Sequence, residues 1–184
     1  LSSRFFAMAV RSTSRRDSGV TSQQEANHTM SGERVLVLND DVKAHIQNHG
    51  RETYPNECCG ALIGTGNVVA ECFSLPNMTE EGPRRRFLVR PDDYRAAEKR
   101  ATELGHELLG FYHSHPDHPA RPSQYDLDHA WPVFAYVIIA VAKGEPAAIT
   151  SWRLREDRTT FDEEHISSGS KENDGGGERI PPAE

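Results

Sequence analysis

The sequence predicts an α+β fold, α/β-like in its mixing, with a mixed β-sheet flanked by helices. Three observations predict it. Short apolar runs alternate with stretches of helical spacing, residues that favour helix starts precede those stretches, and the polar residues concentrate at the two ends. Arg34 to Leu38 (RVLVL) reads as a short strand. A helix follows from about Asp40, with Asn39 as its cap and Val42, Ala44, His45, Ile46 and His49 within reach of one broad face. Cys58 to Ile63 (CCGALI) is apolar enough for a buried strand closed by Gly64 and Gly66, and Asn67 to Leu75 and Arg86 to Val89 read as two more. Pro91 opens a second helix at its favoured first position, Tyr94, Ala97, Ala101 and Leu104 keep helical spacing, and Gly105 ends it. Strands are then expected over Glu107 to His113, Val133 to Ala142, Ala148 to Leu154 and Thr159 to Phe161, with a short helix after Pro122.

The chain has 184 residues, and 36% of them are hydrophobic, which is low for a fully packed chain of this length. The shortfall sits at the ends. Residues 1–30 are rich in Ser, Arg, Gln and Thr, and Arg4, Arg11, Arg15 and Arg16 all precede the first acid, Asp17. That composition is like an organellar transit peptide, but upstream sequence ahead of a start at Met30 accounts for it more simply. Residues 167–184 (SSGSKENDGGGERIPPAE) are expected to be disordered, which leaves a single domain over residues 31–166. Leader and tail carry +2 and −2, so the core keeps the chain's net charge of −7, which argues against nonspecific nucleic-acid binding. No apolar run approaches the roughly 20 residues needed to span a bilayer. Cys58, Cys59 and Cys72 form neither a disulfide framework nor a CxxC pair, and read as buried thiols in a reducing cytoplasm.

One segment carries the chemistry: GFYHSHPDHPARPSQYD, from Gly110 to Asp126. His113 and His115 are one residue apart, so on a strand both imidazoles lie on the same face, about 6–7 Å apart, and can converge on one metal. Pro116 ends the strand. A short helix from Ser123 puts Ser123 and Asp126 one turn apart, both able to look back toward the histidines. Two imidazoles and a carboxylate suit Zn²⁺, and three protein ligands leave a fourth position for water, the mark of a catalytic rather than a structural zinc site. Hydrolysis also needs a proton acceptor beside that water. The best remote candidate is Glu57, which leads the apolar strand and is costly to bury unless it faces a cleft or a partner.

These residues together resemble the JAMM (MPN+) metalloprotease motif: Glu57-Cys-Cys59-Gly60, His113-Ser-His115-Pro116 and Ser123-Gln-Tyr-Asp126. The order of the strand ending GFYHSHP, the AxPSxxD loop and the later strand VFAYVIIAV extends the resemblance over about residues 34–166. It implies the JAMM/MPN, cytidine-deaminase-like architecture and a zinc metallopeptidase. Carried over residue by residue, it implies that His113, His115 and Asp126 ligate zinc and that Glu57 is the general base for the zinc-bound water. Ser123 would donate a hydrogen bond to the oxyanion, a role that competes with helix capping for the same side chain. Family members without activity lack one or more ligands, and this chain lacks none.

Neighbouring residues have plainer readings. His118 is a solvated loop histidine and His129 flanks the site, while Asp117 and Asp128 are surface charges. Cys59, on Glu57's strand face, is a packed thiol, Trp131 and Phe134 supply core bulk, and Arg84–Arg86 form a solvated basic run. The compact core resembles the short bacterial stand-alone branch of the family. That branch implies a substrate among ubiquitin-like sulfur-carrier proteins, cut at an amide or isopeptide bond beside a C-terminal Gly-Gly tail that enters as an added strand. The alternatives are a RadC-like protein linked to DNA repair, which the acidic core and the E-x-C-G strand oppose, a noncatalytic MPN interaction module, and a small-molecule amidohydrolase.

Overall fold

A computed structural model describes residues 34–77 and 89–169. The leader, the start at Met30, the Arg84–Arg86 run, most of the strand expected over Arg86 to Val89 and the tail beyond residue 169 lie outside them. β1 (Val35–Leu38) alternates, with Leu36 and Leu38 fully buried. α1 (Asp40–Thr53) begins where the Asn39 side chain accepts the Val42 N–H at 2.8 Å, with Asp40 and Asp41 in the positive first turn. It buries Val42, Ile46 and Gly50, a stripe of residues spaced four apart. β2 (Cys59–Thr65) and β3 (Val68–Leu75) form a hairpin. α2 (Pro91–Glu103) opens on Pro91 and buries Ala97 and Ala101. β4 (Glu107–Pro116) is buried almost throughout. α3 (Gln124–His129) lies in the crossover to β5 (Ala135–Ala142), which pairs parallel to β4, and β6 (Glu145–Leu154) and β7 (Phe161–Ser167) are the last of the described elements.

The strand order is β1-β3-β2-β4-β5-β6-β7, and β7 pairs parallel with β1 through Val35↔His165, so the sheet closes into a barrel. The sequence leads to an α+β fold and to the mixed pairing, but not to closure. The cause is β7, expected to end at Phe161. Its inward position is Glu164, only 4% exposed, where alternation calls for an apolar residue. β6 makes that burial tolerable: Arg153 Nε and Ser151 Oγ each donate to the Glu164 carboxylate at 2.8 Å.

The interior divides by strand face. Tyr112, Val137, Ile139, Leu36, Leu38 and Leu62 pack with Val42 and Ile46 of α1. Phe111, Tyr136, Ala61 and Leu154 pack with Ala97 of α2. Among the described residues no helix is long and apolar enough to cross a membrane.

Candidate metal centre

β4 delivers two imidazoles to one place. His113 lies opposite Cys59 of β2 and Ile138 of β5, and His115 lies opposite Ala140, so both rings project from the same strand face. His113 is fully buried and His115 is 8% exposed, and their Nε2 atoms approach to 3.0 Å. Asp126, 6% exposed in the first turn of α3, sets Oδ1 3.3 Å from His113 Nε2 and Oδ2 3.7 Å from His115 Nε2. Four ligands at about 2.0–2.1 Å from one zinc are separated by about 3.3–3.4 Å along each tetrahedral edge, and the Nε2–Nε2 and Nε2–Oδ1 separations, 3.0 and 3.3 Å, lie close to that. The three residues are the group of metal-binding side chains that converges among the described residues. Donor chemistry and spacing both fit zinc.

Bonds behind the cluster fix its donors. Nδ1 of His115 lies 2.9 Å from the carbonyl of Pro119, which can only accept, so Nδ1 carries the proton and Nε2 presents its lone pair. Ser123 caps α3 in a reciprocal box. Its N–H and its hydroxyl donate to Asp126 Oδ2 at 2.6 and 2.7 Å, and its oxygen accepts the Asp126 N–H at 3.3 Å. That arrangement leaves Oδ1 aimed at His113. In this geometry the single hydroxyl proton of Ser123 is on Asp126, in the capping role.

Charge follows burial. Burial drives the His113 pKa down to about 4, against the Asp126 charge and with that of His115, so its ring is neutral at neutral pH. Burial would raise the Asp126 carboxyl, but His113, the two Ser123 bonds and His115 outweigh it and hold the group below its ordinary value. Glu57, 6% exposed just ahead of β2, is pushed up to about 8, first by burial and then by the neighbouring Asp126 charge. Such a carboxyl can both take and return a proton near neutral pH.

Other residues fall out differently. His118 is exposed, and His129 stacks on Tyr125 at 4.0 Å and bonds the Tyr125 carbonyl. Asp128 is held by Gln124 at 2.8 Å, and Cys59 packs with its thiol 3.6 Å from the Leu75 carbonyl. Phe134 packs on Phe111 at 5.4 Å. Trp131 is not core bulk: it is 64% exposed, in the turn before β5, where the Tyr136 hydroxyl holds its backbone N–H at 2.7 Å. Asp117 is exposed, but it is more than a surface charge, since it accepts from Tyr54 and from the Lys143 N–H. Sequence reasoning also passed over Ser114. Alternation turns it away from the histidines and toward β2, where its hydroxyl accepts the Cys58 N–H at 2.8 Å, while its own N–H donates to the Cys58 carbonyl. Glu57 is thereby tied to the ligand strand one residue away, and Asn77 holds its carbonyl at 3.0 Å.

Comparison with known proteins points to the same family as the motif. The family model described as prokaryotic homologs of the JAB domain matches residues 39–155. The chain is 32% identical over 110 residues to a desampylase of Haloferax volcanii, covering 56% of this chain and 78% of that protein. It is 34% identical over 102 residues to a Thermus thermophilus protein named "Probable TtuB-protein conjugate cleaving protease", covering 55% and 64%. A solution structure of a protein from Salinibacter ruber superposes with a TM-score of 0.58 at 43% identity, covering 74% of this chain and 93% of that one.

Proposed function

The chain belongs to the prokaryotic homologs of the JAB domain, a family of hydrolases, and on that footing we propose that it is a zinc-dependent peptidase or isopeptidase. Its substrate is a ubiquitin-like sulfur-carrier protein, cut at the amide bond beside the C-terminal Gly-Gly tail. The observation that carries the reading is a buried His113–His115–Asp126 set with a second buried carboxyl, Glu57, close enough to feel the Asp126 charge. The names of two of its relatives, a desampylase and a conjugate-cleaving protease, support the substrate class.

His113 Nε2, His115 Nε2 and Asp126 Oδ1 would hold zinc. Bound there, zinc supplies Lewis acidity, lowering the pKa of water toward neutrality and polarising a carbonyl. Glu57 accepts the proton of the attacking water and passes it to the leaving amine. Ser123 turns its hydroxyl from Asp126 to the oxyanion, while its N–H keeps its bond to Oδ2.

The edge of β3 suits an extended tail. Only Val68 and Val69 pair with β1, so among the described strands Ala70 to Leu75 have no partner on that side. Leu75 lies opposite Cys59, two residues from Glu57, so a Gly-Gly segment added there runs toward the cluster. Buried free thiols at Cys58 and Cys59 fit a cytoplasmic setting.

The test is to incubate the zinc-loaded chain with ubiquitin-like carriers extended beyond Gly-Gly, and with their lysine conjugates, and to read intact masses. Loss of the extension, or release of the conjugate, with new C-termini at Gly-Gly is expected. A zinc-loaded chain that leaves all of them intact would remove this substrate class.

A further inference from the structure

Asp117 follows directly on the ligand strand and adopts a φ of 56°, a left-handed region uncommon for side-chain-bearing residues, and here other bonds hold it. Three bonds do so. Its N–H donates to the Val141 carbonyl at 2.8 Å, Oδ1 accepts the Lys143 N–H at 2.8 Å, and Oδ2 accepts the Tyr54 hydroxyl at 2.9 Å. Lys143 and Gly144, with φ of 52° and 86°, form the two-residue turn between β5 and β6, a rigid anchor. The ring of Tyr54 lies over Gly144, where an added Cβ would meet it at 3.6 Å.

Each arm of this arrangement ends at the metal centre. Asp117 opens the turn carrying Pro119, whose carbonyl fixes the tautomer of His115. Tyr54 caps the end of α1 three residues before Glu57, on a turn closed by the Asn56 N–H to the Thr53 carbonyl at 2.9 Å. We infer that Asp117 and Tyr54 are positioning residues, a clasp anchored on the Lys143–Gly144 turn that holds the aim of His115 and the approach of Glu57 in one frame. This deepens the zinc reading and rests on it.

The experiment compares the full chain as wild type, Asp117→Ala, Asp117→Asn and Tyr54→Phe. Zinc affinity is measured by competition with a chromophoric chelator, and the visible absorption of the cobalt-substituted protein is recorded. Asp117→Ala is expected to bind zinc about 10-fold more weakly, the low end of the range for losing a partner bonded to a metal ligand, since Asp117 acts through the turn that carries Pro119, with an altered cobalt spectrum. Asp117→Asn keeps an oxygen for the Lys143 N–H and restores most of the affinity. Tyr54→Phe loses one hydroxyl and falls between the two, which carries the test should the alanine variant not fold. Zinc affinities within twofold of wild type and unchanged cobalt spectra in the folded variants, whatever their melting temperatures, overturn the clasp. A wild-type chain that takes up no zinc overturns instead the metal reading beneath it.

Discussion

Ser123 has one hydroxyl proton, and Asp126 Oδ2 holds it at 2.7 Å. A serine that only caps α3 and steadies Asp126 is worth about 1 kcal/mol of stability and roughly tenfold in metal affinity. A serine that also reaches the oxyanion is worth about 10²–10³ in kcat. Ser123→Ala is therefore expected to lower kcat about 100-fold with KM near wild type, and a fall confined to zinc affinity limits Ser123 to the cap. Glu57 yields a second prediction. In the metal-free chain its carboxyl is near pH 8 folded and 4.5 at its ordinary value, so the penalty of burying its charge grows as pH rises through that window. Glu57→Gln should then stabilise the metal-free chain at pH 8.5 by on the order of 2–4 kcal/mol and have little effect at pH 4, as read by urea denaturation. At this scale the sequence was most legible where spacing encodes direction. His113 and His115 two apart on a strand, and Ser123 and Asp126 three apart at a helix start, can each be placed by periodicity. Ser114 and Asp117 could not, because their partners lie just ahead of β2, after α1 and in the β5–β6 turn, contacts that no local pattern records.

Among the elements, β4 is the one whose placement matters most, because both imidazoles ride on it. Gly110 sits where β4 meets β5: a Cβ added there would lie 2.0 Å from the backbone oxygen of Ala135. Backbone cannot give way as a side chain tip can, so Gly110→Ala should force β4 from β5. An unfolding penalty of at least about 3 kcal/mol and weakened zinc binding are expected. A variant with wild-type stability and zinc affinity would mean that β4 has slack the packing does not show. The helices were legible because their first residues are diagnostic: Asn39 caps α1, Pro91 opens α2 and Ser123 caps α3. β7 was not, since its buried position is a glutamate whose partners, Ser151 and Arg153, lie on another strand. An exposed Trp131 was equally hidden, because bulk alone does not say which side of a turn it leaves.

Over the whole molecule, the barrel pairs the first of the described strands with the last, and the fold buries two opposed titrating groups near one centre. His113 resists its proton from its ordinary 6.5 down to about 4, so its contribution to stability is present above 6.5 and fades as pH falls toward 4. Glu57 works the other way, its contribution fading as pH rises from 4.5 to about 8. The two slopes cancel between about pH 4.5 and 6.5. Below 6.5 the half-buried His49, also held under its ordinary value, adds to the rising limb, so the metal-free chain should be most stable near pH 6.5 and lose about 2 kcal/mol by pH 8, at 1.36 kcal/mol per pH unit. Thermal melts across that range check it; rising stability from pH 6.5 to 8 would contradict the burial of Glu57. The central claim is the division of labour between ligands and base, and one paired measurement reaches it most directly. Wild type and Glu57→Gln are each analysed for zinc per chain, then for cleavage of a ubiquitin-like carrier conjugate. The account predicts about one zinc in both, with turnover lost by about 10²–10⁴-fold in the variant. Zinc absent from both, or a Glu57→Gln variant that cuts at the wild-type rate, would contradict it.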